Sequence, residues 1–97
     1  MIRVHIVSER DNVATALVPL EVGEHVAVGG RTIVVAEPIA RGHKIALRAL
    51  QAGESIVKYG SPIGTAAADI PEGAHVHTHN VSSNRGRGDL GAEAGVR

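Results

Sequence analysis

Four segments of this chain share one template: an aliphatic residue, two residues, a glycine, two residues, a second aliphatic residue. They are Leu20–Gly23–Val26, Ile39–Gly42–Ile45, Leu50–Gly53–Ile56 and Ile70–Gly73–Val76. A glycine three residues after an aliphatic anchor suits a tight turn that needs positive φ. The aliphatic residue after it then starts a strand that faces the core. Twelve glycines and four prolines interrupt the chain at short intervals and leave segments too short for ordinary helices. Ile2–Val7, His25–Val28, Thr32–Ala36, Ile45–Leu47, Ser55–Lys58 and His75–Thr78 are rich in Val and Ile and read as short strands. In Asp11–Leu17, Val13, Thr15 and Leu17 alternate with smaller residues, which favours a strand over a helical turn capped by Asp11. The repeat spacing is too irregular for a solenoid. These features predict one small, coiled all-β domain over residues 1–81. Residues 82–97 are polar and Gly-rich, and are expected to be flexible or to order only against a partner.

Composition narrows what such a domain can do. Its 97 residues include one Tyr, no Phe and no Trp, so the core must be built from Val, Ile, Leu and Ala. A thin aliphatic core gains from docking, onto a larger partner or a second copy of the chain. Ten basic and ten acidic residues cancel, and stacking aromatics are absent, which argues against nucleic-acid binding. No Cys is present to form a disulfide or a thiolate metal site. No apolar run reaches the length of a membrane span or a signal peptide, so a soluble cytoplasmic protein is expected.

The chemistry concentrates at His75-Val76-His77-Thr78-His79-Asn80. On a strand, alternate residues share a face, which would place the three histidines opposite the anchor Val76. Neutral imidazole is a common ligand for Zn, Fe, Mn or Ni. Three alternating histidines span roughly 13 Å at strand rise, so they cannot all reach one ion, and a metal would need a carboxylate or another group from elsewhere. A solvated strand with idle imidazoles is the competing reading. Two further polar groups are His43-Lys44, directly after Gly42, and Lys58-Tyr59-Gly60. Lys58 could pair with a substrate carboxylate and Tyr59 could donate a hydrogen bond, against the plainer readings of a surface lysine and a packed ring. His5 and His25 have no such surroundings.

Three motifs in order carry a family resemblance: Gly42-His43-Lys44-Ile45-Ala46-Leu47, then Lys58-Tyr59-Gly60-Ser61-Pro62-Ile63-Gly64, then His75-Val76-His77-Thr78-His79-Asn80. Over residues 2–81 the chain resembles the SAF-type domain of the altronate/galactarate dehydratase family. The resemblance implies a β-clip fold. It also implies a role as the separate small subunit of a sugar-acid dehydratase, inactive without its large subunit. The alternatives are the small subunit of a sulfolactate sulfo-lyase, or a non-catalytic module that binds carbohydrate or metal. In that family water or sulfite leaves from an acid with an α-hydrogen, and the dehydratases are associated with a divalent metal such as iron. The site residues it implies are His77 and His79 for catalysis. His43, Lys44, Lys58, Tyr59 and Asn80 would bind substrate, and His75, His77 and His79 the metal.

Overall fold

The structure, a computed structural model, describes residues 3–6 and 8–83. The expected all-β fold is present. Among the described residues nine short strands run in order as β1 (Val4–His5), β2 (Val13–Ala16), β3 (His25–Val28), β4 (Arg31–Val34), β5 (Lys44–Ala46), β6 (Ser55–Lys58), β7 (Ser61–Ala66), β8 (His75–Val76) and β9 (Val81–Ser83). A single 3₁₀ turn, Thr78–Asn80, separates β8 from β9. All pairings are antiparallel. A four-stranded sheet has the order β1-β2-β5-β8, β3 pairs with β4, and a third sheet has the order β6-β7-β9. No helix among the described residues is long and apolar enough to cross a membrane.

The four glycine templates make four equivalent turns, with φ of +88° at Gly23, +87° at Gly42, +91° at Gly53 and +85° at Gly73. They combine two by two. Leu20 exchanges both backbone hydrogen bonds with Ile39, and Leu50 does the same with Ile70. Each pair brackets a hairpin. In the first, β3 and β4 meet at Gly29-Gly30 (φ +54° and +81°); in the second, β6 and β7 meet at Tyr59-Gly60 (φ +57° and +74°). Two central residues at positive φ are what a two-residue turn between twisted strands requires. The chain is therefore an internal duplication, each half carrying a strand of the central sheet, an anchored turn, a hairpin and a second anchored turn. Even the turn chemistry repeats. Glu24 accepts from its own turn at Glu21 N and pairs with Arg3, and Glu54 accepts from Gln51 N and pairs with Arg48. These contacts hold both carboxyls below their usual range, the Glu24 one mainly through the backbone donor and the Glu54 one mainly through Arg48.

Each half has its own core, on opposite faces of the central sheet. One is built from Ala14, Ala16, Leu20, Val26, Ile33, Ile39 and Ile45, and the other from Val13, Ala46, Leu50, Ile56, Ile70 and Val76, with further residues at their margins. Strands β2 and β5 feed both by alternation, Val13 and Ala46 to one face, Ala14 and Ile45 to the other. That is why neither strand shows the apolar-in, polar-out pattern of a half-exposed sheet.

Asn12, buried in this aliphatic setting, joins the two halves. Its Nδ2 donates to Ser55 O at 2.9 Å, and its Oδ1 accepts from Val57 N at 2.7 Å. Truncation leaves the partly buried Ser55 O and Val57 N of β6 without their side-chain partner. Asn12→Ala is expected to lower the unfolding free energy by about 2–4 kcal/mol, measured by urea denaturation. A loss within error of zero would mean that water replaces the amide at no cost.

Several strand bounds differ from the sequence expectations. Strand β8 ends at Val76 and does not continue to Thr78. Strand β7 was not expected, because Pro62 and Gly64 weaken the strand pattern; the proline sits where the β6–β7 register shifts, a position that spares it a ladder donor. At the other end, Val81–Ser83 pairs with β7, so β9 runs two residues past the expected boundary at 81. The rest of the expected tail, residues 84–97, lies outside the described residues.

Candidate functional site

Strands β5 and β8 lie side by side, with Ile45 opposite His75 and Lys44 opposite Val76. This register brings the two histidine motifs together from distant parts of the sequence. His43 precedes β5, and its Nδ1 lies 2.8 Å from His75 Nε2. The two ring centres are 5.0 Å apart with planes only 5° from parallel. With that N···N contact, the rings must lie edge to edge in nearly one plane. The His77 ring, by contrast, stacks face to face on His43, at 3.7 Å between centres and 7° between planes.

The histidines cluster, but not through strand alternation. The strand stops after Val76, which is wholly buried as expected. His77 remains extended, and Thr78–Asn80 turn back. The turn is held by Asn80, whose Oδ1 accepts from His77 N at 2.9 Å and whose Nδ2 donates to His75 O at 2.8 Å. This fold-back carries the His79 ring to within 5.0 Å of His75, at a 34° tilt. A continuous strand would have kept the three imidazoles spread out. Asn80, expected to bind substrate, thus has both ends of its amide engaged in backbone bonds that shape the turn.

Lys44 faces the other side of this edge. With Ile63, His77, Thr78 and Val81 it lines a small groove of about 220 Å³. Lys58 and Tyr59 do not line it. They stand at the β6–β7 turn, where Lys58 Nζ lies 3.5 Å from the centre of the Tyr59 ring. The structure thus unites His43, Lys44, His75, His77, His79 and Asn80, and leaves Lys58 and Tyr59 outside that group. A larger hollow of about 480 Å³ lies elsewhere, lined in part by Arg10, Arg31 and Arg48, with Arg31 paired to Glu72.

Among the described residues, two sets of donors at the edge lie close enough for one cation. His43, His75 and His77 form one, and Glu37, His75 and His79 the other; in each, the donor atoms are within 4.8 Å of one another. Glu37 is the residue that sequence reasoning missed. It lies far from the histidine motif in the chain, and no local pattern marks it.

The imidazoles depress one another. The His75 pKa is lowered mainly by burial, then by the charges His79, His43 and His77 would carry, against an opposing pull from Glu37. The His77 pKa is lowered by loss of solvent, then by His43, Lys44 and His79. Both rings are therefore neutral at pH 7 and able to accept a proton or ligate a metal. In the unfolded chain they would protonate near the ordinary value of about 6.5. The stability tied to these neutral rings is thus fully present above that value, and is lost as pH falls toward the lower folded values. In the metal-free chain, an NMR titration of the imidazole C–H signals should show His75 and His77 protonating below free imidazole. Titration at or above the ordinary value would show that the rings are not packed together.

The sequence profile of the altronate/galactarate dehydratase SAF domain matches residues 2–84. This chain belongs to that family. The SAF domain is 49% identical over 74 residues to an altronate dehydratase of Escherichia coli (strain K12), covering 76% of this chain and 15% of that protein. It is 46% identical over 83 residues to an altronate dehydratase of Bacillus subtilis (strain 168), covering 86% of this chain and 16% of that protein. It is also 50% identical over 44 residues to a (2R)-sulfolactate sulfo-lyase subunit alpha of Paracoccus pantotrophus, covering 45% of this chain and 66% of that subunit. The SAF domain thus matches about one-sixth of the length of these dehydratases and about two-thirds of a lyase subunit.

Proposed function

We propose that this SAF domain is the small component of a cytoplasmic lyase that eliminates water from a sugar acid, and that its histidine edge completes an active site lying mostly on a large partner. One observation carries the reading: four imidazoles, Lys44 and Glu37 lie together at one edge of the domain, beside a small open groove of about 220 Å³. The dehydratase relatives, in which such a domain is about one-sixth of the protein, support a large partner.

The chemistry follows from the groups present. Elimination begins with removal of the proton α to the carboxylate, and it needs an acid to help the β-substituent leave. Neutral His77, beside Lys44 at the groove wall, is a base for the α-proton, and once protonated it is the acid that the leaving hydroxyl needs; the Lys44 ammonium pairs with the substrate carboxylate. His43, stacked on His77, holds that ring in place. The donors here, imidazoles with or without a carboxylate, suit a divalent transition metal such as iron. When bound, such an ion would steady the charge that develops on the carboxylate.

Sulfite elimination is the second reading, favoured by the match to a sulfo-lyase subunit alpha. The large component would then choose the leaving group. Assays of altronate, galactarate and sulfolactate with the isolated chain, and with the chain mixed with its large partner, test the proposal. Turnover is expected only in the mixture. Turnover by the isolated chain would overturn the division of labour, and no effect of adding the chain would reduce it to a binding module.

A further inference from the structure

We infer that Glu37, His75 and His79 form a divalent-metal site, with His43 orienting His75 from behind and His77 left outside the coordination shell. This deepens the lyase reading, resting on it for the use of the ion but not for its binding. The two candidate triads share His75, and ring geometry decides between them. An imidazole lone pair lies in the plane of its ring. His43 and His77 stack face to face, with planes 7° from parallel, so their lone pairs run side by side and do not converge on one point. An ion between them would lie out of both planes. His43 Nδ1 is moreover engaged with His75 Nε2. The His75 and His79 rings are tilted by 34°, so their planes intersect, and Glu37 adds the charge that a dication needs.

Two further features fit. With Nε2 facing His43, His75 has Nδ1 for the ion, the arrangement in which a ligating histidine is fixed through its other nitrogen. Donor atoms within 4.8 Å of one another need shifts of less than about 1 Å to reach bonds near 2.1 Å, well within side-chain freedom. Two histidines and one carboxylate leave several positions open on the ion. A bidentate oxygen ligand, such as a 2-hydroxy acid, can take them.

The full chain, stripped of metal, should be titrated with Co²⁺ and followed by its visible d–d absorption, with Zn²⁺ calorimetry in parallel. One equivalent is expected to bind. Glu37→Gln and His79→Ala should each weaken binding at least tenfold, and His43→Ala by about tenfold through loss of the orienting bond. His77→Ala should stay within about twofold of the parent chain. Circular dichroism of each variant separates lost ligands from lost folding. The inference is overturned if the parent chain binds neither ion. It is equally overturned if His77→Ala abolishes binding while Glu37→Gln does not, which would place the ion among His43, His75 and His77. Neither result touches the mixing assay, so the lyase reading stands or falls separately.

Discussion

Gly73→Ala is expected to destabilise the domain by about 3–5 kcal/mol, enough to unfold much of a protein this small. Gly73 has φ of +85°, where an L side chain strains the backbone. Worse, a Cβ there would lie 2.0 Å from Val34 O and 3.2 Å from Ala36 N, and Ala36 N donates its hydrogen bond to Gly73 O. The obstruction is backbone from the other half of the duplication, so no rotamer relieves it. Gly42 provides the internal control. It holds the equivalent turn at φ +87°, yet a Cβ there meets nothing within 4 Å. Gly42→Ala should therefore lose only the conformational part, about 1–2 kcal/mol. Urea denaturation of the two variants reads the difference directly. Equal losses would show that the two halves are not pressed together at Gly73.

In the lyase proposed above, assembled from this chain and its large component, His77→Ala is expected to reduce turnover at least about a hundredfold, the scale for losing an acid–base group. His79→Ala should lose as much by a different route, through the ion. The two separate in the metal titration, where His77→Ala retains binding. Thermal stability should change little in either variant, because both rings are partly or fully exposed and carry little packing energy. Near-normal turnover in both would move the chemistry wholly onto the partner and leave this domain a scaffold.

Much of the fold was legible because its rules are local. A positive-φ glycine three residues after an aliphatic anchor announces a turn wherever it occurs, and all four such turns formed. Strands β3 and β6 have the expected bounds, since a Val- or Ile-bearing segment between two turns has few alternatives. The three motifs likewise sufficed to place the chain in its family. What the sequence left open was which pieces meet. Nothing local pairs Leu20 with Ile39 rather than with another anchor, or makes Gly73 tolerate less than Gly42; both follow from how the two halves close on each other. The histidine site shows the same division. The imidazoles were visible as a run, but a periodicity argument extended β8 through them. It could not see that Asn80 would take the backbone of His75 and His77 and fold the chain back. Only the β5–β8 register delivers His43 to His75, and only the tertiary arrangement sets Glu37 beside His79. Residue type states what chemistry a side chain can do, but shared chemistry depends on convergence in space, which pairing across long loops decides and local pattern does not encode.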